Sequence, residues 1–151
     1  MTGPAGEAPA YRRRRRHRHG RGLRGPLAPP TAPLTTSRTD RFDALVVGAV
    51  ERLQRRRPEA LARLGDLEIV VTDLPAATPG PAAPERAVPL GEARPASGRR
   101  SARLVVHRRP VEARAHGRRE LEHLVRDVVT EQLALLLGLP PEDLDPGWSV
   151  R

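Results

Sequence analysis

Twenty residues, Arg118 to Leu137, constrain the fold more than any other part of this chain, because they read as one long helix with a sharply defined end. At 100° per residue, Leu121, Leu124, Val125, Val128, Val129, Leu135, Leu136 and Leu139 fall on one face about 140° wide. Gly138 suits the left-handed position that closes a helix, and Pro140-Pro141 bar its continuation. So broad an apolar face needs a sheet or a second helix to cover it. Leu133 and Leu137 fall outside that face, near Arg126 and Thr130. They either pack against another helix or form a small exposed patch suited to self-association or a partner.

A second helical pattern starts near Thr39-Asp40, either of which can N-cap it. Phe42, Leu45, Val46, Ala49, Val50 and Leu53 make one apolar stripe, with Arg41, Asp43, Glu51, Arg52 and Arg55 outside it. Pro58 ends or restarts this helix, and Glu59 to Leu64 add a further turn or two. Leu67 to Asp73 and Ala102 to Arg108 are β-branched runs that read as strands. Val88 to Ala93 reads as a short edge strand, and residues 74–87 as a Pro-rich loop. Arg109 to Ala113 starts a short helical or turn segment, with Pro110 at a first helical position. The order helix, strand, short strand, strand, helix predicts a small α+β domain with helices against one face of the sheet. With only Tyr11, Phe42 and Trp148 as aromatics, the core has to be aliphatic.

Charge divides the chain. All 27 basic residues are arginine, and the formal net charge is +9. Residues 1–24 hold eight of these arginines against Glu7, a net of +7, which leaves +2 for residues 25–151. Residues 1–37 combine this Arg run with Gly, Pro and Ala and show no apolar period. They are expected to be a disordered tail, followed by a domain over 38–145 and a C-terminal tail over 146–151. Arg12, Arg13, Arg14, Arg15, Arg16, Arg18, Arg21 and Arg24 are candidates for salt-sensitive, sequence-independent binding of nucleic acid or another polyanion. The bland alternative is an Arg-biased tail with no dedicated ligand. The absence of cysteine excludes a disulfide framework, a thiolate metal site and a Cys nucleophile. The longest apolar run, Leu133 to Leu137, is too short to span a membrane, and no apolar signal region follows the positive N-terminus, so the expected compartment is the cytoplasm.

Val125 to Leu144, with Gly138-Leu139 followed by Glu142-Asp143-Leu144, resembles the active-site helix and acidic loop of the small zincin-like metallopeptidases, a bacterial family found among the actinobacteria. Arg41 to Leu53, Leu67 to Pro75, Val88 to Gly91 and Ala102 to Glu112 are similar to that family's preceding segments, in the same order. The resemblance covers about residues 38–144. It implies a zincin-like fold, a zinc ion and peptide hydrolysis, with an HExxH helix supplying two His ligands and a water-activating Glu. Anchored on Gly138-Leu139, the first His position is Glu131, the Glu position is Gln132, the second His position is Leu135 and the acidic loop position is Pro141. A shift of one residue would put Thr130 and Ala134 at the ligand positions instead. Neither register supplies a zinc site, so no cofactor is expected and the chain reads as a non-catalytic interaction or regulatory protein with an unidentified protein partner. Leu135 is expected to fill the former cleft. Gln132 is expected either to find hydrogen-bond partners or to border a remnant pocket.

One alternative keeps catalysis. His123, Asp127 and Glu131, spaced at i, i+4 and i+8, are candidate ligands of a substitute metal site, joined by His107 or His116. The competing explanation is a solvated polar face with ordinary His–carboxylate pairing, because the three spread over roughly 80° of the helix. His107 and His116 otherwise read as isolated surface or edge residues.

Overall fold

The computed structural model describes residues 12–13, 37–76 and 88–150. Its elements are β1 (Arg12–Arg13), α1 (Arg38–Arg56), α2 (Pro58–Ala62), β2 (Leu67–Thr72), β3 (Gly91–Arg94), β4 (Ala102–His107), α3 (Arg108–Arg114), α4 (Arg118–Leu137) and α5 (Pro141–Leu144). Of the segment 1–37 expected to be a disordered tail, Arg12–Arg13, as β1, and Ser37 fall within the described residues. Arg14, Arg15, Arg16, Arg18, Arg21 and Arg24 lie outside them, as do residues 77–87 of the Pro-rich loop.

Three strands make the body of a mixed sheet. β2 and β4 run parallel, with Leu67 opposite Ala102 and Thr72 opposite His107. β3 pairs antiparallel to β4 and forms one edge, while the two-residue β1 lies parallel beside β2 at the other. Side chains alternate across the sheet. Leu67, Ile69, Ala102, Leu104 and Val106 join the hydrophobic core with α1, Val111 of α3, α4 and Leu144 of α5. The helices therefore cover one face of a small sheet, as the α+β reading expects.

α1 begins two to three residues earlier than a cap at Thr39 or Asp40 suggests, because Ser37 caps it. The Ser37 hydroxyl accepts a hydrogen bond from the Asp40 amide at 3.0 Å. Asp43 is buried, although the stripe places it on the solvent side. At the other end of the domain, Gly138 takes the left-handed conformation (φ 66°, ψ 33°). The Leu139 amide donates to Ala134 O at 3.0 Å and the Gly138 amide to Leu135 O at 3.3 Å, which closes α4 in the paired pattern typical of a glycine stop.

α4 packs on α1 as well as on β3 and β4. A helix with partners on two sides buries a wider and differently centred arc than a helix lying on one surface. Leu133 and Leu137 are accordingly buried, so packing within the chain, not a surface patch, accounts for them. Beyond α5, Asp145 is fully buried and takes hydrogen bonds from the Arg52 guanidinium and, at 3.1 Å, from the Gly147 amide, with Arg56 3.6 Å away. Burial pushes its carboxyl up, but these donors outweigh burial and hold it below the ordinary carboxylate value. The ion pair ties the end of the domain back to α1.

Candidate functional site

The motif positions lie on the C-terminal half of α4 and at the start of α5, where the glycine stop and Pro141 turn the chain. Gln132 is buried and directed at the edge strand. A Cβ built on Gly91 would lie 3.2 Å from Gln132 Cγ, 3.1 Å from Val128 Cγ1 and 2.8 Å from Val105 O. Only glycine permits α4 and β3 to approach this closely. Neither polar atom of the Gln132 amide is both sealed from solvent and unpartnered, so the amide carries no desolvation penalty of that kind.

Glu131 and Leu135, one helical turn apart, both face solvent. Leu135 is 65% exposed, so it does not fill a cleft. That expectation fails because Leu133 and Leu137, not Leu135, face α1 and the core. Pro141 is half-buried as the first residue of α5. The motif positions thus form a strip in which Gln132 turns inward against β3 while Glu131 and Leu135 face outward.

The substitute metal site does not assemble. His123 and Glu131 are exposed and Asp127 is half-buried. Among the described residues, no three His, Cys, Asp or Glu side chains come together to hold a metal ion. His116 is exposed, and its backbone amide donates to Glu120 Oε2 at 2.8 Å.

His107 departs most from its sequence reading. It is 1% exposed, on the sheet face opposite the helices, and is neither a surface nor an edge residue. Thr72 Oγ1 is hydrogen-bonded to His107 Nδ1 at 2.8 Å and lies 3.2 Å from Leu74 O. His107 Nε2 is sealed from solvent, and the group facing it is Glu92 Oε1 at 3.4 Å. Burial pushes the imidazole pKa down from its usual 6.5, against the opposing pull of Glu92, and Arg94 adds to the lowering. Glu92 is in turn held below the ordinary carboxylate value, chiefly by its hydrogen bond from Arg94 at 2.7 Å. The result is a neutral histidine against a carboxylate, linking β2, β3 and β4. Strand alternation sets His107 on the same face as Val105, but its partners follow from the β2–β4 register, which the sequence does not reveal.

The motif strip and the His107 cluster lie on opposite sides of the same edge strand, one reached by Gly91 and the other by Glu92. No helix among the described residues is long and apolar enough to cross a membrane. No curated protein matches the chain. The sequence model of the zincin-like metallopeptidase family matches residues 64–148, more than half the chain and the span that carries β2, β3 and β4, the glycine stop and the motif strip. The chain belongs to the zincin-like metallopeptidase family.

Proposed function

We propose that this domain keeps the zincin-like scaffold without its zinc chemistry and works by binding, as an interaction or regulatory protein. The side chains at the three ligand positions carry this conclusion. Glu131 offers one carboxylate, Leu135 offers none and faces solvent, and Pro141 has no donor side chain. A structural or catalytic zinc needs at least three protein ligands. Gln132 stands where the family places the residue that activates water, and a carboxamide accepts no proton at neutral pH. The donor set therefore does not fit zinc, and no catalytic step through a metal is derived. Leu135 instead presents its apolar side chain to solvent.

Metal content and peptide hydrolysis, measured on the full chain and on Glu131→Ala, test this. The expected result is zinc well below one ion per chain in both proteins, with no hydrolysis of an unstructured protein substrate. One zinc per chain together with hydrolysis, both lost in Glu131→Ala, would overturn the proposal.

A further inference from the structure

A cavity of about 780 Å³ opens at the end of the domain away from the motif strip, between the first turns of α1 and the junction of α3 with α4. Leu121 lies about 15 Å along the helix axis from Glu131, so this cavity is separate from the motif positions. Its volume falls in the range of small-molecule pockets, roughly 300–1,000 Å³. Part of the wall is apolar, with Phe42, Ala44 and Leu45 from α1, Ala115 from the junction and Leu121 from α4, and most of the rest is charged, Arg118 included.

The charged lining is uneven. Glu112 and Glu122 are already engaged, by Arg108 Nη1 at 3.3 Å and Arg118 Nε at 3.1 Å. Arg38 and Arg41 also line the cavity, are exposed, and have no carboxylate partner among the described residues. The cavity therefore joins an apolar wall to two exposed guanidinium groups that make no ion pair with a described carboxylate, while the lining Glu112 and Glu122 are each paired with another arginine. Guanidinium favours planar or tetrahedral oxyanions, which it can grip through two parallel N–H bonds.

We infer that this cavity binds a small amphipathic anion, an aliphatic body against Leu45, Ala115 and Leu121 with its carboxylate or phosphate head on Arg38 and Arg41. The site stands independently of the motif strip and of whether the domain has retained any peptidase activity.

Residue-resolved NMR titration of the full chain with octanoate, octyl phosphate and octan-1-ol tests it. Either anion should shift the amides of Ala44, Leu45, Gly117 and Leu121, and whichever binds more tightly identifies the head group. Octan-1-ol should bind at least tenfold more weakly. Arg38→Gln/Arg41→Gln should weaken anion binding about tenfold, the factor that corresponds to 1.4 kcal/mol. Arg55→Gln/Arg57→Gln removes the same charge from exposed positions about 25 Å away along α1 and should leave binding unchanged. Equal loss in the two double variants, equal binding of the alcohol, or shifts confined to other parts of the chain would overturn the inference.

Discussion

The two faces of the sheet are built on different physics. On the helix side, Leu67, Ile69, Ala102, Leu104 and Val106 belong to the hydrophobic core, and Leu104 and Val106 are completely buried. On the other side, Val70 and Val105 are buried in the middle of a polar surround. Glu68 pairs there with Arg103 at 2.7 Å, Glu92 with Arg94 at 2.7 Å, and Thr72 with His107 at 2.8 Å. The helix face draws its stability from area removed from water, which changes little with pH or salt. The polar face depends on pairings that both of these alter. A domain with so few aromatics thus concentrates its stability on one side of the sheet and its sensitivity to conditions on the other.

The largest effect expected from this contrast is on the helix face. Leu104→Ala should lower unfolding stability by about 2–5 kcal/mol, read from the denaturant midpoint. A loss below about 1 kcal/mol would mean that this face is not the closely packed core described above.

An intermediate effect belongs to His107. Its folded pKa lies below 6.5, so between those two values the unfolded chain binds more protons and stability falls as pH drops. The loss begins near pH 6.5 and levels off below the folded pKa. Glu92 and Asp145 have lowered pKa values, so their stabilisation is complete above the ordinary values of 4.5 and 3.8 and is lost only as pH falls through the folded ones. Wild type should therefore weaken in two stages on acidification, and His107→Gln should remove the first stage. An unchanged slope just below pH 6.5 in that variant would place the titrating group elsewhere.

The smallest effect is expected at the half-exposed pair on the polar face. Arg103→Ala should cost about 1 kcal/mol or less, and the difference from wild type should shrink in high salt. A larger, salt-insensitive loss would show that the Arg103 stem holds the face together by packing rather than by charge.

Much of the architecture is legible in the sequence, for local reasons. α4 spans Arg118 to Leu137 because an apolar period continues until a glycine and two prolines stop it. β2 and β4 lie where β-branched residues cluster. The edge strand is less legible. It is observed at Gly91–Arg94, three residues later than the Val88 start expected, because antiparallel pairing with β4 sets its limits and its own composition does not. Asp43, Leu133 and Leu135 show the same limit. An amphipathic pattern reports that a helix has a buried side, but it assumes one covering surface. α4 has two, so Leu133 turns inward and Leu135 is left in solvent.

By itself, the sequence determined the main helices and the two central strands, the family and the residues at the motif positions, since all of these depend on order and spacing along the chain. The tertiary structure decided which of those residues meet. It placed Gln132 against Gly91, buried His107 between Thr72 and Glu92, left His123, Asp127 and Glu131 ungathered, and brought the start of α1 to the junction before α4. Each of these depends on strand register or helix packing between segments far apart in the chain, where no local pattern fixes the distance between two side chains.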